Sequence, residues 1–169
     1  MRVIAADTST VTFTPTRART ITPSVTPTRT QRPTPMATRD YRILNPANQH
    51  LYYFADIQVS WNFAKSYCVS RGGHLVTIHD DPENTFVYKL AGDGAWLGAT
   101  QVKPGSWQWV TGEPLTFTKF GIGGKPKDPT RIYLNIFYQN YVGAEGYNWG
   151  SVGESNTGTI ICEWDTASP

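Results

Sequence analysis

SWNFAKSYCVSRGGHLVTIHDDPEN, residues 60–84, is the stretch that decides how this chain folds. Trp61, Ala64 and Cys68 recur at i, i+3 and i+7, the spacing of one buried stripe on a helix. Ser60 stands just before them, where a side-chain oxygen satisfies a free N–H of the first turn. Gly72-Gly73 ends the helix, because glycine enters the left-handed conformation without a steric cost. HLVTI (74–78) then reads as a strand. Asp81 and Pro82 follow as N-cap and first residue of a second helix through PENTFVYKL, with Phe86, Val87 and Leu90 facing inward.

Working outward, HLYYFAD (50–56) has the aromatic content of a strand. After the AGDG turn, AWLGA, WQWV, IYLNIF, YNWGSV and TIICEW are short apolar runs separated by glycine-rich turns, the pattern of further strands. One strand, two helices and then strands only is an α+β order. Residues 41–169 hold all six Trp, all nine Tyr and six of the seven Phe, enough aromatic area to build a core. Residues 1–40 hold twelve Thr, five Pro and a single aromatic, Phe13. Repeated Thr-Pro units at 14–16, 22–24, 26–28 and 33–35 predict an extended, disordered stalk or linker without packed structure. Such a segment either presents a domain away from a surface, with room for O-glycans, or is a plain disordered terminus.

Charge divides at the same point. The tail carries six Arg and two Asp, net +4, and the remainder nine basic and eleven acidic residues, net −2, which sum to the chain's +2. The basic balance is thus a property of the tail and gives the folded part no nucleic-acid-binding face. No run reaches the roughly 18 apolar residues of a membrane span. MRVIAADTST has four apolar residues after one Arg, short of a secretory core of about 7–15. A Thr/Pro stalk ordinarily has something in front of it, so the natural chain is expected to begin upstream of Met1 in a larger multidomain protein. Cys68 and Cys162 lie in no CxxC and near no histidine cluster, which argues against zinc. They are either two buried thiols or a disulfide joining the ends of the domain, the latter implying an oxidising compartment.

Taken together, these motifs resemble the C-type lectin-like domain, over about residues 46–165. YYF opens the first strand. WNFAKSYCVSRGGHLVTIHDDPEN matches the first helix, its cysteine, the GGHLV strand and the acidic cap of the second helix. AWLGA stands at Trp-Ile-Gly, WQWVTGEPLTFTKF at the Trp-x-Trp turn, and IICEW holds the closing cysteine. The resemblance implies a C-type lectin-like fold: two helices flanking small antiparallel sheets, with a long irregular loop over about 117–152. It also implies pairing of Cys68 with Cys162 and an extracellular or cell-surface location. The family's second disulfide is missing, its positions matching Tyr133 and Glu154.

Sugar-binding members of that family hold calcium in the long loop through a Glu-Pro-Asn or Gln-Pro-Asp triplet, a further Glu, and the Asn-Asp of Trp-Asn-Asp. Calcium takes about 6–8 oxygen ligands. Gly112-Glu113-Pro114 directly follows WQWVT and so belongs to the turn before the loop. The matching triplet is Lys125-Pro126-Lys127, the further Glu falls near Arg131, and Trp149 is followed by Gly150 and Ser151. Cations standing where a divalent ion should sit repel it, by about 4 kcal/mol for unit charges ~4 Å apart at an effective dielectric near 20. No calcium, and no other metal or cofactor, is therefore expected at this site.

Lys125, Lys127 and Arg131 read as an anion site or as a solvated charged loop, and charge runs are ordinarily the latter. Between Arg131 and Trp149 lie Phe137, Tyr138, Tyr141 and Tyr147, with Asn135, Gln139, Asn140 and Asn148, a mixture suited to adaptable recognition. The candidate ligand-binding residues are Lys125, Lys127, Arg131, Tyr138, Asn140, Tyr141, Tyr147, Asn148 and Ser151. No catalytic motif appears; His74 and His79, at odd spacing along a strand, should point to opposite faces, and Glu163 reads as structural. The chain is expected to be a non-enzymatic, calcium-independent recognition module whose partner is a protein or other macromolecule. The alternatives are a carbohydrate-binding lectin using aromatics and basic residues, and a structural spacer domain of a larger surface protein.

Overall fold

Ser60 caps the first helix, its hydroxyl accepting the Phe63 N–H at 3.3 Å. In this computed structural model, which describes residues 41–122, 124–140 and 146–165, the helix α1 spans Trp61–Val69 and buries Trp61, Ala64 and Cys68. The Thr/Pro-rich segment and Tyr141 lie outside the described residues. The strands are β1 (Ile43–Leu44), β2 (Leu51–Val59), β3 (His74–Leu75), β4 (Ala95–Lys103), β5 (Ser106–Trp109), β6 (Tyr133–Gln139), β7 (Gly146–Val152) and β8 (Gly158–Trp164), and α2 spans Asp81–Ala91.

Three local expectations change. Asp80, not Asp81, caps α2: its backbone is extended and its carboxylate accepts the Glu83 N–H at 2.8 Å, leaving Asp81 and Pro82 inside the first turn. The side chains α2 buries fully are Glu83, Asn84 and Val87, with Phe86 and Leu90 half-buried, because the helix lies over a polar cluster as well as the apolar core. HLVTI pairs as a strand only at His74 and Leu75. Val76 stays tied, donating to the Ile161 carbonyl and accepting from the Gly98 N–H. That approach is close enough that a Cβ on Gly98 would stand 2.4 Å from the Leu75 oxygen.

β1, β2 and β8 run antiparallel with β3 against β8; β4, β6 and β7 run antiparallel with β5 against β4. The two groups join where β8 passes parallel to β4 at Thr159 and Ala95. One core cluster centres on Val76, Leu97, Trp109, Leu134, Ile136 and Trp149; the other on Trp61, Leu75, Trp96, Tyr133 and Ile160 around the bonded pair Cys68–Cys162. The bond ties α1 to β8 across 94 residues of sequence. At one position of the missing family cystine, the Tyr133 ring stacks on Trp61 at 4.5 Å and meets Trp96 edge-on at 6.2 Å. Aromatic packing therefore fills part of that space, while Glu154 is exposed.

The long irregular loop expected over 117–152 is irregular only in its first part. Its second part contains the β6–β7 ladder, seven residue pairs from Tyr133↔Val152 to Gln139↔Gly146. The polar residues interspersed there (Asn135, Gln139, Asn148) fit strand alternation, since partners opposite one another share a face.

Candidate functional site

The segment before β6 is held by hydrogen bonds rather than by a covalent staple. Trp149, 1% exposed, donates its indole N–H to Asn84 Oδ1 at 2.7 Å and meets Trp109, Phe117 and Phe120 edge-on. Its backbone N–H donates to the Lys119 carbonyl, and its own carbonyl accepts the Gly121 N–H. Farther along, the Trp107 indole N–H donates to the Pro126 carbonyl at 3.0 Å and the Gln101 amide to the Asp128 carbonyl at 2.7 Å. Asp128 accepts from both the hydroxyl and the N–H of Thr130, which lowers its pKa below the ordinary carboxylate value.

This anchoring leaves a cavity of about 260 Å³ between Gly121, Ile122, Gly124 and Pro126 on one side and strands β6 and β7 on the other. Pro126, Arg131, Gly150 and Ser151, which the sequence places at the family's ligand positions, line it together with Phe137, Gln139 and Trp149. Arg131 donates through Nε to the Ser151 carbonyl at 2.7 Å. Lys125 and Lys127 are exposed and do not line the cavity, and the Lys127 stem lies over Gly105. Among the described residues no carboxylate lines it either, and Asp128, two residues after Pro126, is occupied by Thr130. A guanidinium, one amide and one hydroxyl do not make the oxygen cage calcium requires, so the residues present do not fit that ion.

The remaining candidates fall elsewhere. In β6–β7, Asn135, Phe137 and Gln139 share one face with Gly150, Asn148 and Gly146, while Ile136, Tyr138, Trp149 and Tyr147 share the other. Tyr147 stacks on Tyr88 of α2 with ring centroids 4.1 Å apart, and Tyr138, 47% exposed, leans against both. Those tyrosines thus pack the hairpin against α2. Asn148 is buried and donates to the Gly146 carbonyl; Asn140 is exposed at the end of β6. Sequence reasoning did not select Gln139. The signal was the alternation Asn135, Phe137, Gln139, readable once the strand read from IYLNIF is extended to Gln139.

A second polar group surrounds Glu163, which is fully buried on β8. One carboxylate oxygen meets His50 Nδ1 at 2.7 Å and the Tyr52 hydroxyl at 3.0 Å, and the other accepts the Thr77 N–H and hydroxyl. Glu83 accepts from the Tyr52 hydroxyl at 2.6 Å, from Asn48 and from the His79 N–H. His74 and His79, expected on opposite faces, both turn toward this cluster: His74 Nδ1 stands 3.9 Å from Glu163, and His79 Nε2 is 3.2 Å from Thr77 Oγ1. The strand ends at Leu75, so alternation does not carry from one histidine to the other. His50, Glu83 and Glu163 present ligand atoms within 4.8 Å of one another, a donor set that suits a divalent cation, but the carboxylate oxygens already accept hydrogen bonds from the chain.

Burial raises the Glu83 pKa, against the hydrogen bond from Tyr52, and the charge of Glu163 raises it further. Burial pulls His74 down, but its bond to the Leu75 carbonyl and the carboxylates of Asp165 and Glu163 outweigh that and leave its pKa raised. Both groups hold their protons more tightly folded than unfolded. Each therefore contributes stability that is complete below its unfolded value, 4.5 for Glu83 and 6.5 for His74, and is lost as pH rises through the folded value. The melting temperature should be higher at mildly acidic than at mildly alkaline pH, and His74→Gln should flatten the part of that fall above 6.5. A melting temperature that rises from pH 6 to 8 would contradict this assignment.

Fold and site together define a C-type lectin-like domain. The profile described as "Lectin C-type domain" matches residues 57–163, and the chain belongs to that family. It is 36% identical over 84 residues to human C-type lectin domain family 4 member K, covering 47% of this chain and 26% of that protein. It is 30% identical over 84 residues to the type-2 ice-structuring protein of Hemitripterus americanus, covering 49% of this chain and 51% of that protein. The chain thus spans about a quarter and about half of these relatives' lengths. Among solved structures, the C-type lectin domain of murine dendritic cell inhibitory receptor 2, in complex with N-glycan, superposes with a TM-score of 0.62 at 22% identity, covering 71% of this chain and 94% of that one. A calcium-independent type II antifreeze protein superposes with a TM-score of 0.63 at 21% identity, covering 73% and 90%.

Proposed function

We propose that residues 41–169 form a non-enzymatic, calcium-independent recognition domain that takes a macromolecular ligand in the cavity beside the β6–β7 hairpin. The observation that carries this reading is the cavity's composition: Pro126, Arg131, Gly150 and Ser151 meet there, and no carboxylate among the described residues lines it. The fold shared with a calcium-independent antifreeze protein supports a working domain of this kind without the ion. Residues 1–40 serve as a Thr/Pro-rich stalk presenting the domain at a cell surface or in the extracellular space, in keeping with the Cys68–Cys162 bond. The test is the melting temperature of the full chain in millimolar calcium and in excess EDTA. An ion present at about 100 times its dissociation constant would add ~2.7 kcal/mol, a shift of several degrees. No shift is expected, and a clear rise in calcium would overturn the reading.

Carbohydrate recognition is the second reading, favoured by the aromatic side chain of Phe137 in the cavity lining and by the glycan-bound structural neighbour.

A further inference from the structure

We infer that this cavity takes an acidic sugar: a pyranose whose carboxylate meets Arg131 and whose neighbouring hydroxyl or amide N–H donates to Gln139 Oε1. The inference rests on the calcium-independent recognition reading and names the ligand class of the same site. Gln139 is 8% exposed, and its Oε1 is buried without a hydrogen-bond partner among the described residues. A buried acceptor left open is unfavourable, and a ligand O–H or N–H removes the penalty. The residue packed over that oxygen is Gly121, where a Cβ would stand 2.5 Å from Oε1 and 3.3 Å from the tip of the Phe137 ring. Glycine is thus the residue that fits there while Gln139 keeps its place in the lining.

Arg131 supplies the charge. Its Nε is fixed on the Ser151 carbonyl, so the guanidinium is oriented, and its two Nη groups make no hydrogen bond among the described residues. A planar fork held at one corner with donors to spare suits a carboxylate. Among the described residues no acidic side chain lines the cavity, the Asp128 carboxylate that interacts with Arg131 lies outside its lining, and exposed Lys125 and Lys127 are sequence neighbours of Pro126.

The volume and walls favour a sugar over an acidic peptide. At about 260 Å³ the cavity lies just below the ~300–1,000 Å³ of small-molecule pockets, suited to one substituted ring rather than a length of chain. Phe137, on the same face of the hairpin as Gln139, offers aromatic surface for the apolar side of such a ring. A pyranose acid carries hydroxyl donors a few bonds from its carboxylate, whereas an Asp or Glu side chain carries none.

The test titrates the full chain, in EDTA, with glucuronate and N-acetylneuraminate against glucose and N-acetylglucosamine, alongside a short Glu-rich peptide. Both acids should bind, the neutral sugars at least about tenfold more weakly, and Arg131→Gln should weaken the acids by about tenfold. Gln139→Glu, which sets a second carboxylate beside the first, should do the same. Melting curves establish that each variant is folded. Should Arg131→Gln melt early, Arg131→Lys replaces it, and loss of affinity with the charge kept assigns the effect to the fork. Equal binding of acids and neutral sugars, no binding of either acid at tens of millimolar, or Arg131-dependent binding of the peptide alone would overturn the inference. A glycan or protein that binds in EDTA and ignores Arg131→Gln overturns it while leaving calcium-independent recognition standing; a ligand that needs calcium overturns both.

Discussion

Reduction of Cys68–Cys162 is expected to cost the domain about 4–5 kcal/mol, the loop-closure value for a bond spanning 94 residues. That is a large share of the roughly 5–15 kcal/mol that holds an ordinary domain together. It corresponds to a fall of about 15–20 °C in melting temperature for a domain of this size. The bond joins α1 to β8, and β8 pairs with β2, β3 and β4, so the loss acts on both halves of the fold. Melting in the presence and absence of a reductant measures it. A difference under about 1 kcal/mol would mean that the reduced, unfolded chain keeps the two ends close by other contacts.

Glu163→Ala should be nearly as damaging, costing about 3–5 kcal/mol, because it removes a fully buried carboxylate and leaves its donors without an acceptor. Those donors sit on different elements, Thr77 after β3 and His50 just before β2, while the Tyr52 hydroxyl keeps Glu83 as its acceptor. Glu163→Gln keeps the shape but turns an N–H toward other donors, and should cost about 1–3 kcal/mol. Urea unfolding separates the two, with midpoints shifted in that order and the slope unchanged. A Glu163→Ala midpoint equal to wild type would show that water replaces the carboxylate at no cost.

The parts of the fold that follow local rules were legible in the sequence. Ser60, the stripe Trp61–Ala64–Cys68 and the glycine pair delimit α1 without reference to anything distant. What escaped depends on partners far along the chain. Asp80 and Asp81 are equivalent as caps until the backbone entering α2 is known, and it is Asp80 that is extended. Glu83 and Asn84 look like an exposed helical edge, yet they are buried because Tyr52 and Trp149 bring hydrogen-bond partners to them from 31 and 65 residues away. At the candidate site, sequence placed Arg131, Gly150 and Ser151 at family positions, and all three line one cavity. It also grouped Tyr138 and Tyr147 with them, although the register of β6 and β7 sends those rings to the opposite face, against Tyr88. Residue type alone carries no information on which face a strand residue takes; the pairing decides it.

The position of the disulfide sets how the domain answers to mechanical force. Tension applied between residue 41 and residue 165 enters through the two pairs of β1–β2 and through the end of β8. It can peel the chain only as far as Cys68 and Cys162. The 94-residue span between them, roughly 300 Å when drawn out, is shielded from load while the bond is intact. That span contains the cavity and the β6–β7 hairpin, so a ligand held there is borne by a part of the molecule that pulling on the chain ends does not lengthen.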